Sequence, residues 1–438
     1  MNKSLTLFAV IILSLLTPVA EAKLAPLRDS SGRIIRRGGK YDPRPVYLPP
    51  TVPAPKGEFR GVWVSTVLNL DFPVSRSAAE FKQRYTAMVK KIASAGFTAI
   101  VFQVRPNCDA FYPSQHAAYS QWLAGTEGVG FKNFDPLAFM IQTAHAYRLE
   151  FHAWLNPYRV MNDVKVSKQA FLNSRHPRSF ARRNPHLVLD LFDGKTHTLF
   201  LDPGRPEVVR HVQDVIFELT SKYNVDAIHF DDYFYPYEEI GNLDNTTFAR
   251  FNPRKLKKAD WRRNNTETLI AGVRQVINAV NSRRKTRIRF GISPFGIWGN
   301  AKNIKGGSAT GGKQTYFNLY ADTRTWVKQG YLDYITPQIY WNFAHETAAY
   351  AALVDWWDET VRNTNTRLYI GMAPYRLGAP GWNQDELARQ LRYARSHRNV
   401  SGFILFSYRH VFGNKVHPGI NRFFRDLHAK INPNAPKW

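Results

Sequence analysis

The chain is 438 residues long and carries 60 Lys and Arg against 34 Asp and Glu, a formal net charge of +26 at pH 7. Its single cysteine, Cys108, excludes a scaffold held together by internal disulfides, so a large hydrophobic core must stabilise the fold. The excess of positive charge predicts an anionic partner. The alternative is a solvated cationic surface that only keeps the protein in solution.

The first 22 residues have the three parts of a secretory signal peptide. Lys3 is followed by an apolar run over residues 5–16 and by the small-residue sequence Ala20-Glu21-Ala22. We therefore expect an exported protein, periplasmic or extracellular, that is soluble once residues 1–22 are removed. No later stretch predicts a transmembrane segment. Export makes anionic cell-envelope polymers a better candidate partner than nucleic acid, which we do not expect this protein to bind.

Residues 23–58 are rich in Pro, Arg and Gly without periodicity, which predicts an extended leader before a catalytic domain over residues 59–438. In that domain a short apolar strand followed by an amphipathic helix recurs eight times. The predicted strands cover residues 61–67, 98–104, 150–155, 226–232, 287–295, 334–341, 367–375 and 402–408. Helical patterns between them include residues 80–95, 136–148, 207–223, 265–281 and 385–396.

Strand alternating with helix indicates an α/β protein with parallel pairing. The chain has no glycine-rich dinucleotide-binding motif, so we predict a closed (β/α)₈ TIM barrel, with a doubly wound sheet as the weaker choice. The long loops follow strands 2, 3 and 4. In such a barrel the loops after the strands lie on the face where active sites are found.

Polar and aromatic residues recur at every second position near the ends of the predicted strands, so their side chains share one face. Aromatic rings stack on pyranose rings, and amide or guanidinium groups bond sugar hydroxyls, which together predict a carbohydrate polymer as substrate. The residues selected in this way are Ser65, Gln103, Arg105, Trp154, Asn156, His229, Asp231, Tyr233, Ser293, Phe295, Gln338, Tyr340, Tyr375 and Tyr408, with Trp298, Trp341 and Trp382 just beyond strand ends.

The long loops are expected to form an extended groove across the barrel mouth that holds several sugars in a row. The groove is predicted to be lined by Trp154, Tyr158, Tyr233, Tyr235 and Trp341. An extended groove implies cleavage within a chain. Peptides that branch from successive sugars would clash with its walls.

The fourth predicted strand ends in two adjacent acids, Asp231 and Asp232. Asp231 shares a face with His229 and Tyr233, so it is the predicted catalytic carboxylate, with Asp232 as the supporting or alternate one. Glycoside hydrolysis ordinarily needs two carboxyl groups. Candidates for the second come from loops: Asp109, Asp202, Glu238, Glu239 and, more weakly, Asp71.

Metal chemistry is not expected, because the 13 histidines form no HxH or HExxH pattern. His152 and His229 lie on different predicted strands, where a hydrogen-bonded core histidine is the commoner outcome. We predict no cofactor and no metal site.

Several stretches in order, among them RGVWVSTV, FQVRPNCDAFYPS, FHAWLNPYRV, DAIHFDDYFYP, FGISPFGIW and LYIGMAPYRLG, resemble the bacterial family-10-like glycosyl hydrolases. The resemblance runs from Arg60 to the C-terminus. It implies a (β/α)₈ barrel, an exported location, a link to cell division and cleavage of peptidoglycan glycan strands, preferably strands without stem peptides. The family's acidic motif falls on Asp231 and Asp232. Its other positions fall on Gln103, Arg105, Asn156, Tyr158, Arg159, Ser293, Gln338 and Tyr340.

The sequence thus predicts an exported glycoside hydrolase whose partner is the glycan strand of peptidoglycan. A non-catalytic glycan-binding protein on a barrel scaffold is the main alternative, since the second acid is not identified. A basic structural protein that binds the cell envelope is a third possibility.

Overall fold

The computed structural model describes residues 24–429, so the predicted signal peptide over residues 1–22 lies outside the described residues. Eleven strands occur within this range. They are β1 (Phe59–Val64), β2 (Ala99–Arg105), β3 (Glu150–Leu155), β4 (Arg159–Val164), β5 (Val188–Phe192), β6 (His197–Leu201), β7 (Ala227–Phe230), β8 (Arg289–Ile292), β9 (Tyr334–Ile335), β10 (Arg367–Met372) and β11 (Val400–Leu405).

Eight of these strands close into a barrel in the order β1-β11-β10-β9-β8-β7-β3-β2, and every neighbouring pair is parallel. The pairing of β1 with β11, in which Phe59 lies opposite Gly402, closes the ring. This confirms the predicted (β/α)₈ barrel. The sixth barrel strand, β9, has only two residues because Pro337 follows it and has no N–H to donate to a ladder.

Helices connect the barrel strands. Within residues 24–429 they are α1 (Ala78–Ser94), α2 (Gln121–Ala124), α3 (Pro136–Ala146), α4 (Lys168–Ser174), α5 (Phe180–Arg183), α6 (Pro206–Lys222), α7 (Asn245–Arg250), α8 (Lys258–Arg284), α9 (Thr315–Asn318), α10 (Thr323–Lys328), α11 (Tyr350–Val361), α12 (Glu386–Arg395), α13 (Tyr408–Phe412) and α14 (Gly419–Leu427). Local signals fix their starts: Ser77 caps α1 by accepting from the Glu80 N–H at 3.1 Å. Asp135 caps α3, which has Pro136 in its first turn.

Large aromatic side chains fill the barrel interior. Phe59, Trp63, Trp154, Tyr334 and Tyr369 form one buried cluster there. A second, larger cluster lies between the strands and the helices. Gly291 on β8 has to be a glycine, since a Cβ at this position would lie 2.0 Å from the Tyr334 ring.

Long loops follow barrel strands β2, β3 and β7, as predicted for strands 2, 3 and 4, and a further long loop follows β8. The loop after β3 contains a small antiparallel sheet of order β4-β6-β5. Its first strand begins four residues after β3 ends, so this sheet stands directly beside the mouth of the barrel.

The described part of the N-terminal segment, residues 24–58, folds back on itself and packs against the barrel. Isolated bridges join Pro26 to Tyr47 and Arg36 to Pro45. The tip docks on the loop after β9, where the Lys40 N–H donates to the Glu346 carbonyl at 2.9 Å. Ile35 and Val46 are buried, so this segment contributes to the core.

Candidate active site

Asp231 and Asp232 follow directly after β7 and are only 5% and 6% exposed. Asn156, just beyond the neighbouring strand β3, donates from Nδ2 to both oxygens of Asp231, at 3.0 and 3.2 Å. The Trp154 indole N–H and the Tyr233 backbone N–H also donate to this carboxylate, at 3.3 and 3.2 Å. The structure thus brings together residues that the alternation along β3 and β7 predicts on one face.

Asp232 has a different environment. Its Oδ2 accepts a hydrogen bond from the Tyr237 hydroxyl at 2.8 Å. Burial raises the pKa of Asp232 to about 6, and the neighbouring Asp231 carboxylate adds to this rise. Burial also raises the pKa of Asp231, but Arg159 and the three donating groups oppose that rise. Two adjacent carboxyl groups therefore differ in the number of donors that stabilise their charge.

The small sheet contributes a cation, Arg159, to the site. Arg159 opens β4, and its guanidinium lies 4.4 Å from the centre of the Tyr233 ring. The Asn156 side-chain oxygen accepts from the Arg159 N–H at 2.9 Å, which ties β4 to the end of β3. The Tyr233 hydroxyl in turn donates to Asn162 of β4 at 3.2 Å. The loop after β3 and the loop after β7 therefore hold each other in place around Asp231.

Gln103 and Arg105 on β2 hold neighbouring backbone in position. The Gln103 Oε1 accepts from the N–H groups of Thr66 and Val67, both at 3.0 Å, and orders the loop after β1. The Gln103 Nε2 is buried without a partner among the described residues. Arg105 donates to the Asn156 carbonyl at 2.7 Å and fixes the loop after β3.

His229 lies beneath the aspartates in the barrel interior and is fully buried. The Trp63 indole donates to its Nε2 at 3.2 Å, so Nδ1 carries the ring hydrogen and donates to the Tyr334 hydroxyl at 3.0 Å. Tyr334 then donates to Nδ1 of His152 at 2.9 Å. Burial lowers the pKa of His229 well below its usual value, so this histidine is neutral. Its Nε2 also contacts the Ser293 hydroxyl at 2.9 Å, which orients Ser293 at the end of β8.

Aromatic rings line the mouth opposite the aspartates. Tyr340, Tyr375 and Phe406, from the loops after β9, β10 and β11, form a triangle with ring centres 5.8 to 6.1 Å apart. Trp341 packs edge-on against Phe295 at 5.5 Å and remains partly exposed. The Gln338 side chain donates to the Ser293 carbonyl at 2.9 Å and holds the two loops together. These rings are partly exposed at the mouth.

Besides Trp154 and Tyr233, which border Asp231, four aromatic residues predicted to bind sugar are buried: Trp298, Tyr235, Tyr158 and Trp382. Trp298 is 4% exposed, stacks on Trp356 at 5.7 Å and donates to Asp322 at 2.8 Å. Tyr235 is buried in a cluster with Phe200 and Ile240. Tyr158 is also fully buried. Their rings serve the packing of the loops.

Tyr237 contacts Asp232 and was missed by the sequence patterns. It lies two residues beyond the predicted Tyr235, and Pro236 between them interrupts the alternation of an extended strand. Phe406 was missed as well, because it is the last residue of the apolar run over residues 403–406 in the eighth predicted strand. The aromatic richness of the stretch FDDYFYPY is the signal that pointed to the region.

The loop acids considered as the second carboxylate lie in separate surroundings. Asp109 accepts from the Asn107 N–H at 3.0 Å, and burial raises its pKa to about 6. It lines a cavity of about 20 Å³ with Cys108, Glu127 and Arg175. Glu238 and Glu239 are exposed.

Asp71 and Asp202 have clear structural partners. Asp71 accepts from the Ser65 N–H at 2.8 Å, the Ser407 hydroxyl at 2.8 Å and the Arg409 N–H at 2.9 Å. It thus joins the loop after β1 to the loop after β11, where the barrel closes. Asp202 accepts from the Gly204 N–H at 3.0 Å and from the Thr247 hydroxyl.

A parallel (β/α)₈ barrel with paired carboxyl groups and aromatic rings at its mouth is an architecture that glycosidases use. The chain matches the family described as glycosyl hydrolase-like 10 over residues 58–388 and belongs to that family. This confirms the family resemblance. Family and fold together support glycosidase activity.

Two curated relatives cover most of the chain. The chain is 39% identical over 393 residues to the glycosyl hydrolase YngK of Bacillus subtilis (strain 168). This match covers 86% of the chain and 74% of YngK. The chain is 37% identical over 380 residues to the glycosyl hydrolase DigH of Escherichia coli (strain K12). This match covers 82% of the chain and 84% of DigH. The solved glycoside hydrolase domain of PgaB (BpsB) from Bordetella bronchiseptica shares the fold, with a TM-score of 0.50 and 12% identity over 86% of this chain and 100% of that one.

No helix within residues 24–429 combines the length and the apolarity required to cross a membrane.

Proposed function

We propose that this protein hydrolyses the glycan strands of bacterial peptidoglycan outside the cytoplasm, with Asp231 and Asp232 as its two catalytic carboxyl groups. The observation that carries this proposal is the pair itself. Asp231 accepts hydrogen bonds from Asn156, Trp154 and the Tyr233 backbone, whereas the Asp232 carboxyl accepts one from Tyr237 and has a pKa of about 6. Neighbouring carboxyl groups with different environments can divide the acid and base roles.

In this mechanism neutral Asp232 donates its proton to the glycosidic oxygen as the bond from that oxygen to the anomeric carbon breaks. Ionised Asp231 supports the positive charge that develops on the sugar, and acts as nucleophile or as the base that removes a proton from water. Water supplies the hydroxyl group of the new reducing end. Asp232, left as an anion, regains a proton before the next turnover.

A polymeric glycan is favoured as the substrate because partly exposed groups lie on more than one side of the mouth. Tyr340, Tyr375 and Phe406 lie on the side of strands β9 to β11, and Arg159 lies beside Asp231, whereas Tyr233 is buried. Contacts on both sides of the carboxyl pair suit a chain that passes across the mouth. Peptide-free strands should fit best, because stem peptides would meet the small sheet β4-β6-β5.

The predicted signal peptide and the net charge of +26 support an envelope location. Positive charge outside the cytoplasm would hold the enzyme on anionic cell-envelope polymers through interactions that salt screens over about 8 Å at physiological ionic strength. We infer that this charge raises the local concentration of enzyme on its substrate and takes no part in bond cleavage.

The test is to incubate the purified protein with peptide-free glycan strands and with peptide-bearing sacculi and to measure new reducing ends over time. We expect faster release from peptide-free strands, with products of intermediate length first. Asp231→Asn should abolish release, and Asp214→Asn, at an exposed position on α6, serves as the matched control. Tight binding of strands without any new reducing end would instead indicate a glycan-binding protein.

A further inference from the structure

Tyr237 has two ends in very different surroundings. Its hydroxyl donates to Oδ2 of Asp232, a residue that is only 6% exposed. The tyrosine as a whole is 36% exposed, whereas burial around its hydroxyl raises the pKa of Tyr237 well above its usual value. The exposed surface therefore belongs to the rest of this residue, which lies one hydrogen bond away from a proposed catalytic carboxyl group.

Neighbouring groups fix the orientation of this ring. Tyr233 packs edge-on against it, with ring centres 5.5 Å apart and planes at 89°. Lys313, from the loop after β8, donates to the Tyr237 carbonyl at 2.6 Å and places its ammonium 5.7 Å from the ring centre. An aromatic face held in this way is pre-organised to receive a flat apolar partner, because little side-chain freedom is lost on binding.

The hydroxyl also determines which oxygen of Asp232 can hold a proton. Oδ2 accepts from Tyr237, so a proton on neutral Asp232 resides on the other oxygen, Oδ1. Among residues 24–429 no other side chain donates to Oδ1. The proton is thus carried by the oxygen that the protein leaves available.

We propose that Tyr237 forms the sugar subsite beside the bond that is cleaved, stacking a pyranose on its ring while its hydroxyl directs the Asp232 proton from Oδ1 to the glycosidic oxygen. This inference rests on the proposed function, since it assigns a role at the same pair of carboxyl groups. In the step itself the proton leaves Oδ1 as the glycosidic bond breaks. The resulting Asp232 carboxylate keeps the hydrogen bond from Tyr237, which stabilises its new charge.

The two roles are separable by substitution. Tyr237→Phe keeps the ring and removes the hydroxyl, so KM on peptide-free strands should stay within about twofold of the wild-type value while kcat falls about 10-fold. Loss of a donor to the Asp232 anion raises the pKa of this acid. In the pH profile of kcat, the basic limb should therefore move to higher pH. Tyr237→Ala removes the ring as well and should raise KM by about a further 10-fold.

Tyr47, which is 47% exposed on the N-terminal segment, provides the matched controls Tyr47→Phe and Tyr47→Ala, and both should behave as wild type. A Tyr237→Phe variant with unchanged kcat and an unchanged basic limb would overturn the positioning role. A Tyr237→Ala variant with the KM of Tyr237→Phe would overturn the sugar subsite.

A binding measurement separates this inference from the proposed function. Calorimetry would compare the affinity of a peptide-free strand fragment for Asp231→Asn and for Asp231→Asn combined with Tyr237→Ala. An affinity about 10-fold weaker in the double variant supports the subsite. This conclusion holds even if the wild type releases no reducing ends, a result that would refute only the proposed hydrolysis. Equal affinities overturn the subsite.

Discussion

Asn156 Nδ2 donates to both carboxylate oxygens of Asp231, at 3.0 Å to Oδ2 and 3.2 Å to Oδ1. The pair links the end of β3 to the end of β7, which are neighbours in the barrel. A single amide therefore holds the orientation of Asp231 and stabilises its charge.

Replacing Asn156 by Ala should lower kcat/KM by about 10- to 100-fold, because hydrogen bonds to a charged group are worth about 1.5 to 3 kcal/mol. The loss of donors raises the pKa of Asp231, so the acidic limb of the kcat/KM profile should move to higher pH. Asn162→Ala, which removes the acceptor of the Tyr233 hydroxyl, is the neighbouring control and should leave that limb in place. A parallel loss of activity in both variants, with no shift in either profile, would argue against the role of Asn156.

Asp232→Asn should stabilise the protein at neutral pH. The folded pKa of about 6 lies above the unfolded value of 3.8, so this carboxyl group favours folding below pH 3.8 and this contribution is lost as the pH rises through 6. The free energy of unfolding of the variant should exceed that of wild type by at most about 3 kcal/mol at pH 7, and this difference should vanish near pH 4. Urea unfolding at both pH values measures the difference, and a gain that is equal at the two values would contradict the assignment.

His211 should make the fold sensitive to acid. It is stacked on Phe180 at 3.6 Å, and burial next to Arg105 lowers its pKa to about 2. Because this histidine stays neutral in the folded protein, its contribution is present above the unfolded pKa of 6.5 and is lost as the pH falls. The difference in unfolding free energy between wild type and His211→Gln should therefore shrink by about 2 kcal/mol from pH 7 to pH 5. A constant difference across this range would show that the histidine is not neutral in the fold.

Asp71 should contribute to the stability of the fold and not to catalysis. Asp71→Ala leaves the buried N–H groups of Ser65 and Arg409 without their acceptor, and we expect a loss of about 2 to 4 kcal/mol in unfolding free energy. The kcat of the folded fraction, measured at a temperature where the variant is fully folded, should lie within about threefold of wild type. A stable but inactive variant would place Asp71 in the reaction.

The barrel could be predicted from sequence because each strand and helix leaves a local pattern. The grouping of Trp154, Asn156 and Asp231 was also predictable, since alternation along two neighbouring strands places their side chains on the same face. These properties depend on residues close together in the chain.

The burial of individual rings could not be predicted in this way. Trp298 pairs with Asp322 and Trp356, and Tyr235 packs on Phe200, so their surroundings come from distant segments. The sheet β4-β6-β5 likewise depends on long-range antiparallel pairing inside an insertion. Tyr237 reaches Asp232 through a loop that bends at residues 234–235 and 237–238, and alternation carries no information about such bends.

The most direct measurement of the central claim, that Asp232 is the acid and Asp231 the charged partner, compares two leaving groups. Peptide-free strands need protonation of the leaving oxygen, whereas a dinitrophenyl glycoside of the disaccharide repeat does not. Asp232→Asn should lose about 100-fold or more in kcat on strands and recover to near the wild-type rate on the dinitrophenyl glycoside, while Asp231→Asn stays inactive on both. Recovery of Asp231→Asn in place of Asp232→Asn, or equal losses on both substrates for the two variants, would contradict this division of roles.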